Sequence, residues 1–306
     1  MGEKIKLVVI AGPTASGKSA LAVELSTLLN GEIINADSMQ VYRFMDIGTA
    51  KPDKRQRGGI PHHLIDAVDP DEDFTAARFR EEADLKIKEI HSRGKNPFVV
   101  GGTGLYIKTL TKGIFEGPGK DKALRAELLR DAGKNGGESL YARLKEVDPV
   151  SAASIHPNNL RRIIRALEVY ALSKRPISEF QREHAFTETP YDTLTIGLKK
   201  ERDRLYADID KRVEMMIKNG LVEETKKLIE MGYSANIKPL GGLGYKEAVA
   251  YLAGEISIEE AVMLIKRNTR HYAKRQMTWF RKYPEIKWFN PEEKTDIIGA
   301  IRRHFG

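Results

Sequence analysis

Cysteine is absent from the 306 residues. Its absence excludes disulfides and thiolate metal sites and fits a reducing compartment, so a cytoplasmic protein is expected. No apolar run approaches the roughly 18 residues that a membrane helix needs, so neither a span nor a membrane partner is expected. Residues 1–6 lead straight into the first apolar run, so no signal peptide is expected. Lys6 stands where N-myristoylation after Met1-Gly2 would want Ser or Thr. No low-complexity tract and no repeat of 20–50 residues interrupts the chain. Histidines number 7, and the one adjacent pair, His62-His63, offers two ligands where zinc takes three or four. A structural or substrate-contact role is expected for that pair. What the chain does have is positive charge, 51 Lys and Arg against 43 Asp and Glu for a net +8. That balance favours a polyanionic partner without demanding one.

One stretch organises the rest. Gly12-Pro13-Thr14-Ala15-Ser16-Gly17-Lys18-Ser19 follows an apolar run, Leu7-Val8-Val9-Ile10, and opens onto Ala20-Leu21-Ala22-Val23-Glu24-Leu25. A strand, then GxxxxGK[ST], then a helix is the context of a P-loop, the kind that binds ATP and other di- or triphosphates. Its backbone N–H groups and the helix N-terminus attract the anion. Lys18 is expected to reach the distal phosphate, and the Ser19 hydroxyl to ligate Mg²⁺.

Further strands read at residues 32–36, 97–100 and 193–198. The first runs into Asp37-Ser38-Met39-Gln40, and ligands of open α/β sheets sit outside the carboxyl ends of strands, which puts Asp37 near the P-loop. The next ends in Gly101-Gly102-Thr103, where many P-loop NTPases carry an Asp that positions Mg²⁺ and water. Thr103 offers a hydroxyl toward the cleft instead. Helical spacing recurs over 74–93, with Phe79, Ala83, Leu85, Ile87 and Ile90 expected on one face. Strand signals vanish from residue 117 to about 190, within which Arg161, Arg162 and Arg165 form a basic face beside an Ile/Leu one. Helices follow at 202–219 and 257–283. The second carries Arg267, Arg270, Lys274 and Arg281 on roughly one face, either a polyanion-binding surface or a solvated one. The expected architecture is α/β, a P-loop NTPase-like parallel sheet core with a helical insertion domain. Residues 1–116 form the first part of the core, 117–190 the insertion, and 191–306 the second part with basic C-terminal helices.

Three functions suit these residues: a small-molecule kinase of the nucleoside type, a prenyl transferase acting on RNA, and a non-catalytic, nucleotide-gated RNA-binding protein. In either enzyme Asp37 would accept a proton, from a hydroxyl or from an amine, while Lys18 and Mg²⁺ neutralise developing charge. Composition does not separate them.

Seven blocks in order do. They are the P-loop, Asn35 to Tyr42, Pro61-His62-His63-Leu64-Ile65-Asp66, Gly101 to Tyr106, Arg162 to Glu168, Leu243-Gly244-Tyr245-Lys246-Glu247 and Thr269 to Gln276. Together they resemble the bacterial tRNA dimethylallyltransferase family, without the C-terminal zinc-finger region of eukaryotic members. The resemblance implies transfer of a dimethylallyl group from dimethylallyl diphosphate to N6 of the adenosine immediately 3′ of the anticodon. It implies Asp37 as general base, Lys18 and Arg212 on the diphosphate, and Gly12, Pro13, Thr14, Ala15, Ser16, Gly17 and Ser19 around it. It also implies tRNA contacts at Asp37, Ser38, Met39, Gln40, Thr103, Arg125, Asn158, Asn159, Leu160, Arg161, Arg162, Gly242, Leu243, Gly244, Tyr245, Lys246, Glu247, Arg270, Lys274, Arg275, Gln276 and Met277. The implied partners are the tRNA anticodon stem-loop and dimethylallyl diphosphate, and a monomer is expected.

Overall fold

The computed structural model describes residues 3–115 and 117–306. Met1, Gly2 and Glu116, and the readings that fall on them, lie outside the described residues. Six strands form one parallel sheet: β1 (Lys6–Ala11), β2 (Gly31–Asn35), β3 (His62–His63), β4 (Asn96–Gly101), β5 (Asp192–Leu198) and β6 (Lys287–Phe289), in the order β3-β2-β4-β1-β5-β6. The expected α/β sheet is thus present. β1 is central, pairing with β4 (Val9↔Val99) and β5 (Val9↔Thr195). A strand covered on both faces needs apolar side chains at every position, which is why it reads as an unbroken run.

The two faces can be followed residue by residue. Leu7, Val9, Ile34 and Val99 pack under α2 (Ala76–Ser92) and α3 (Gly104–Lys112) through Phe79, Ala83, Ile87, Ile90 and Tyr106. Val8, Ile10, Ile33, Phe98 and Ile196 pack under α1 (Lys18–Leu28) and the C-terminal helix 294–305 through Leu21, Leu25, Ile297 and Ile301. Leu85 departs from its expected place on the buried face of α2: it is 59% exposed. The stripe actually runs at 79, 83, 87 and 90, and position 85 falls on the opposite side of a 3.6-residue turn.

The chain divides into two compact units. One contains the residues up to Thr111 together with Thr189–Gly306, and carries the whole sheet; the other is Lys112–Glu188. The second unit is helical: α4 (Lys122–Asn135), α5 (Gly137–Val147), α6 (Pro149–Ser154), α7 (Leu160–Ser173) and α8 (Ile177–His184) close on Leu128, Leu140, Leu144, Ile163 and Leu167. The first unit continues with α9 (Arg202–Lys218), α10 (Leu221–Glu230), α11 (Tyr245–Leu252), α12 (Ile258–Phe280) and α13 (Lys294–Phe305). Ser257 caps α12, its hydroxyl accepting from the Glu260 N–H at 3.1 Å. Among the described residues no helix is long and apolar enough to cross a membrane.

Candidate active site

The carboxyl ends of β1, β2 and β4 and the helices α9 and α12 surround a cleft of about 1310 Å³. The P-loop forms one wall. Ala15 sits at φ 61° and Gly17 at φ 92°, the left-handed geometry that turns successive N–H groups inward. Lys18, at the start of α1, donates from Nζ to the Pro13 carbonyl at 2.6 Å and to Ser16 Oγ at 3.4 Å. Burial in the cleft pushes its pKa down to about 7, Arg212 pushes the same way, and Asp37 opposes both.

Asp37 follows β2 and lines the same cleft. Its Oδ1 accepts from the Met39 N–H at 2.9 Å and the Gln40 N–H at 3.4 Å, an Asx-type turn that fixes the carboxylate at the strand end. Arg212 reaches in from α9 and donates from Nη2 to the Thr49 carbonyl at 3.3 Å. Its pKa is lowered by burial and held up by Asp37. The Tyr272 hydroxyl of α12 has its pKa raised by burial and by the Asp37 charge. Asp37 therefore faces two cations and a phenol across one cavity.

Gly101, at the end of β4, has a steric cause. A Cβ there would lie 2.1 Å from the Ala36 carbonyl oxygen, so no side chain, least of all a carboxylate, fits where other P-loop proteins carry an acid. A Cβ on Gly102 would lie 2.2 Å from Gln276 Nε2.

Several expected tRNA contacts turn out to have internal partners. Gln276 is 6% exposed; its Oε1 accepts from the Thr14 N–H at 2.9 Å and its Nε2 donates to the Gly102 carbonyl at 2.9 Å. It braces the P-loop against β4 and also lines the cleft. Tyr245 and Glu247 are buried as well; Glu247 accepts from the Gly244 N–H at 2.9 Å and from Asn268 Nδ2 at 2.8 Å. From that block Lys246 is exposed and Gly242 and Leu243 half-buried. Arg270 pairs with Asp210 side-on, through Nε and Nη2, whereas Lys274 and Arg275 are exposed and Met277 half-buried. Thr103 Oγ1 accepts from the Ser38 N–H at 2.9 Å, holding the Asp37 turn to α3.

In the helical unit, Arg125 and Arg165 both bind Glu168, a fully buried carboxylate, at 2.7 Å. Asn159 caps α7, accepting from the Arg162 N–H at 3.3 Å. Asn158, Arg161 and Arg162 are exposed, and Leu160 opens the helix half-buried. His63 binds Glu32 at 2.7 Å and His62 the Ile60 carbonyl at 2.8 Å. Both histidines thus have protein partners, and His62 also lines the cleft.

Sequence reasoning missed Lys200 and Asp208. Lys200 Nζ donates to the Ala15 carbonyl at 3.2 Å and to Asp208 Oδ2 at 2.7 Å, buttressing the P-loop from the end of β5. The available signal was positional: Lys200 lies two residues past the strand next to β1, where a ligand cleft opens.

A P-loop on a parallel sheet, facing a carboxylate and lacking the strand-end acid, defines a phosphate-binding α/β enzyme of the group-transfer kind. The IPP transferase family model matches residues 40–283, and the chain belongs to that family. It is 55% identical over 304 residues to the tRNA dimethylallyltransferase of Geobacter sulfurreducens, covering 99% of this chain and 98% of the relative. The crystal structure of full-length tRNA isopentenylpyrophosphate transferase from Bacillus halodurans superimposes with a TM-score of 0.74 at 44% identity, over 98% of this chain and 97% of that one. A eukaryotic dimethylallyltransferase acting on tRNA gives a TM-score of 0.82 at 33% identity, over 98% and 77% of the two chains.

Proposed function

We infer that this chain transfers the dimethylallyl group of dimethylallyl diphosphate to N6 of the adenosine 3′ of the anticodon in tRNA, and releases diphosphate. The observation that carries the chemistry is that Asp37, Lys18 and Arg212 line one cleft at the P-loop. Family membership and the relatives' named activity support the substrates.

In this reading the P-loop amides, Lys18 and Arg212 hold the diphosphate. The bond from the allylic carbon to the diphosphate oxygen breaks as that carbon gains cationic character, and the charge left on oxygen is what the loop and the two cations stabilise. The N6 amine supplies the electron pair of the new C–N bond, and its proton goes to Asp37. An adenine in a single-stranded loop can be turned out of the stack at low cost.

Mg²⁺ suits the site. Among the described residues no three His, Asp or Glu side chains cluster as a metal cage, and Mg²⁺ commonly relies on one or two protein ligands with substrate phosphates and water. The exposed Ser19 of α1 is the residue that would hold it. The ion would supply further neutralisation of the leaving diphosphate. Exposed cations of α12 and of the 158–162 segment would meet the phosphate backbone of tRNA. The enzyme acts as a monomer, in the cytoplasm where tRNA is found.

Donor choice tests the reading. Incubation with tRNA, Mg²⁺ and dimethylallyl diphosphate should give turnover without ATP. ATP-dependent phosphorylation of a nucleoside without prenyl transfer would return the cleft to a kinase.

A further inference from the structure

Glu224, in the first turn of α10, accepts four hydrogen bonds. Its Oε2 takes the backbone N–H groups of Asp46 at 2.9 Å and Ile47 at 2.8 Å, and its Oε1 takes the Gly48 N–H at 3.1 Å and the Tyr245 hydroxyl at 2.6 Å. Four donors fill the acceptor capacity of a carboxylate. Three successive amides turned onto one anion form a nest, here closed by a side chain of the same protein. Tyr245 is 0% exposed, and its ring packs so closely on the loop that a Cβ on Gly48 would come within 2.5 Å of it. The far end of the loop is pinned separately, Lys51 Nζ donating to the Tyr42 carbonyl at 2.8 Å and to Asp46 at 2.6 Å.

Between these two anchors lies Thr49, whose carbonyl accepts from Arg212 Nη2 at 3.3 Å and from Gln40 Nε2 at 3.1 Å. Residues 46–51 themselves line the cleft. A chain of contacts therefore runs from Glu224 through the 46–48 nest to the Thr49 carbonyl and on to two side chains of the site, although Glu224 does not itself line the cleft.

We propose that Glu224, with Tyr245, is a positioning residue for the transfer reaction: it sets the 46–51 loop so that the Thr49 carbonyl orients the Arg212 guanidinium toward the diphosphate. This assignment rests on the function inferred above. Gln at position 224 keeps the size but replaces one acceptor oxygen with an NH₂ group that confronts two donors, so the nest cannot close around it.

The test is a double-mutant cycle read by single-turnover rates at saturating tRNA and donor. Wild-type turnover comes first; its failure would remove the inferred function and not the loop argument alone. Glu224→Gln is expected to lower the rate about 10- to 100-fold in the wild-type background, as small misplacement of a catalytic group does. In an Arg212→Ala background the same change should cost about threefold or less, and tRNA affinity should stay at its wild-type value in both. An equal fold-loss in the two backgrounds, or no loss in the first, would overturn the assignment. If Glu224→Gln fails to fold, Tyr245→Phe, which removes one donor and leaves the three amides in place, is run through the same cycle. A smaller loss that again disappears with Arg212→Ala supports the assignment, and an additive or absent loss overturns it.

Discussion

Asp37 forms a turn in the structure and is the proposed proton acceptor, and the two roles can be separated by substitution. Its Oδ1 receives the Met39 and Gln40 amides, and an asparagine carbonyl can accept those bonds as well, so Asp37→Asn should preserve the turn while losing the ability to take a proton. The expected loss is about 10²–10⁴-fold in single-turnover rate with donor binding little changed; a near-wild-type rate would reduce Asp37 to a turn-former. Lys18 makes a pH prediction. Its pKa near 7 lies below the ordinary lysine value, so the donor-free protein sheds this proton as pH rises through 7. A bound diphosphate favours the ammonium and is itself fully ionised above that pH. Donor binding above pH 7 must then take up a proton, and affinity should fall by up to about tenfold per pH unit between about 7 and 9. Titration calorimetry across that range should show the decline for the wild type and a flat, weaker profile for Lys18→Met. A flat wild-type profile would contradict the assignment.

Among the elements, α12 carries both bound and free charge. Arg267 and Lys274 are exposed, whereas Arg270 is held by Asp210. Neutralising Arg267 or Lys274 should weaken tRNA binding and reduce the slope of log affinity against log salt by about 1 each. Arg270→Ala should change that slope less, because its charge is already matched. Wild-type slopes on neutralising Arg267 and Lys274 would mean that the helix presents only a solvated face. In the helical unit, burial alone would raise the Glu168 pKa, but hydrogen bonds from Arg125, Arg165 and the Asp121 N–H hold it down at about 2. A depressed carboxylate stabilises the fold fully above its unfolded value near 4.5 and loses that contribution as pH falls from there toward 2. Glu168→Gln should therefore destabilise by about 2–3 kcal/mol at neutral pH, less than a fully buried pair because both arginines are about a third exposed. Chemical denaturation at pH 7 and pH 3 checks this, since the penalty should shrink at the lower pH.

At the scale of the molecule, what was legible from sequence was whatever a short local pattern encodes. β1 and β4 announce themselves as apolar runs, β2 and β5 as short Ile- and Leu-bearing stretches rich in β-formers, and the P-loop by its fixed spacing between strand and helix. β3, of two residues, and β6, of three, are too short for any period and exist only because a sheet edge is there to pair with. The site divides the same way. Asp37 was placed by the rule that strand ends face ligands, while Lys200 and Asp208, eight positions apart, meet only once the chain has turned past β5. Gln276 and Tyr245 sit inside blocks that resemble a tRNA-binding family, yet their burial depends on tertiary packing that no local pattern records. Prenyl transfer to one adenosine is tested most directly by incubating the protein with unmodified tRNA, Mg²⁺ and radiolabelled dimethylallyl diphosphate, then digesting the tRNA to nucleosides. One labelled nucleoside, an N6-substituted adenosine from the position 3′ of the anticodon, should appear with one diphosphate released for each. Label absent from tRNA, or found on any other nucleoside, would contradict it.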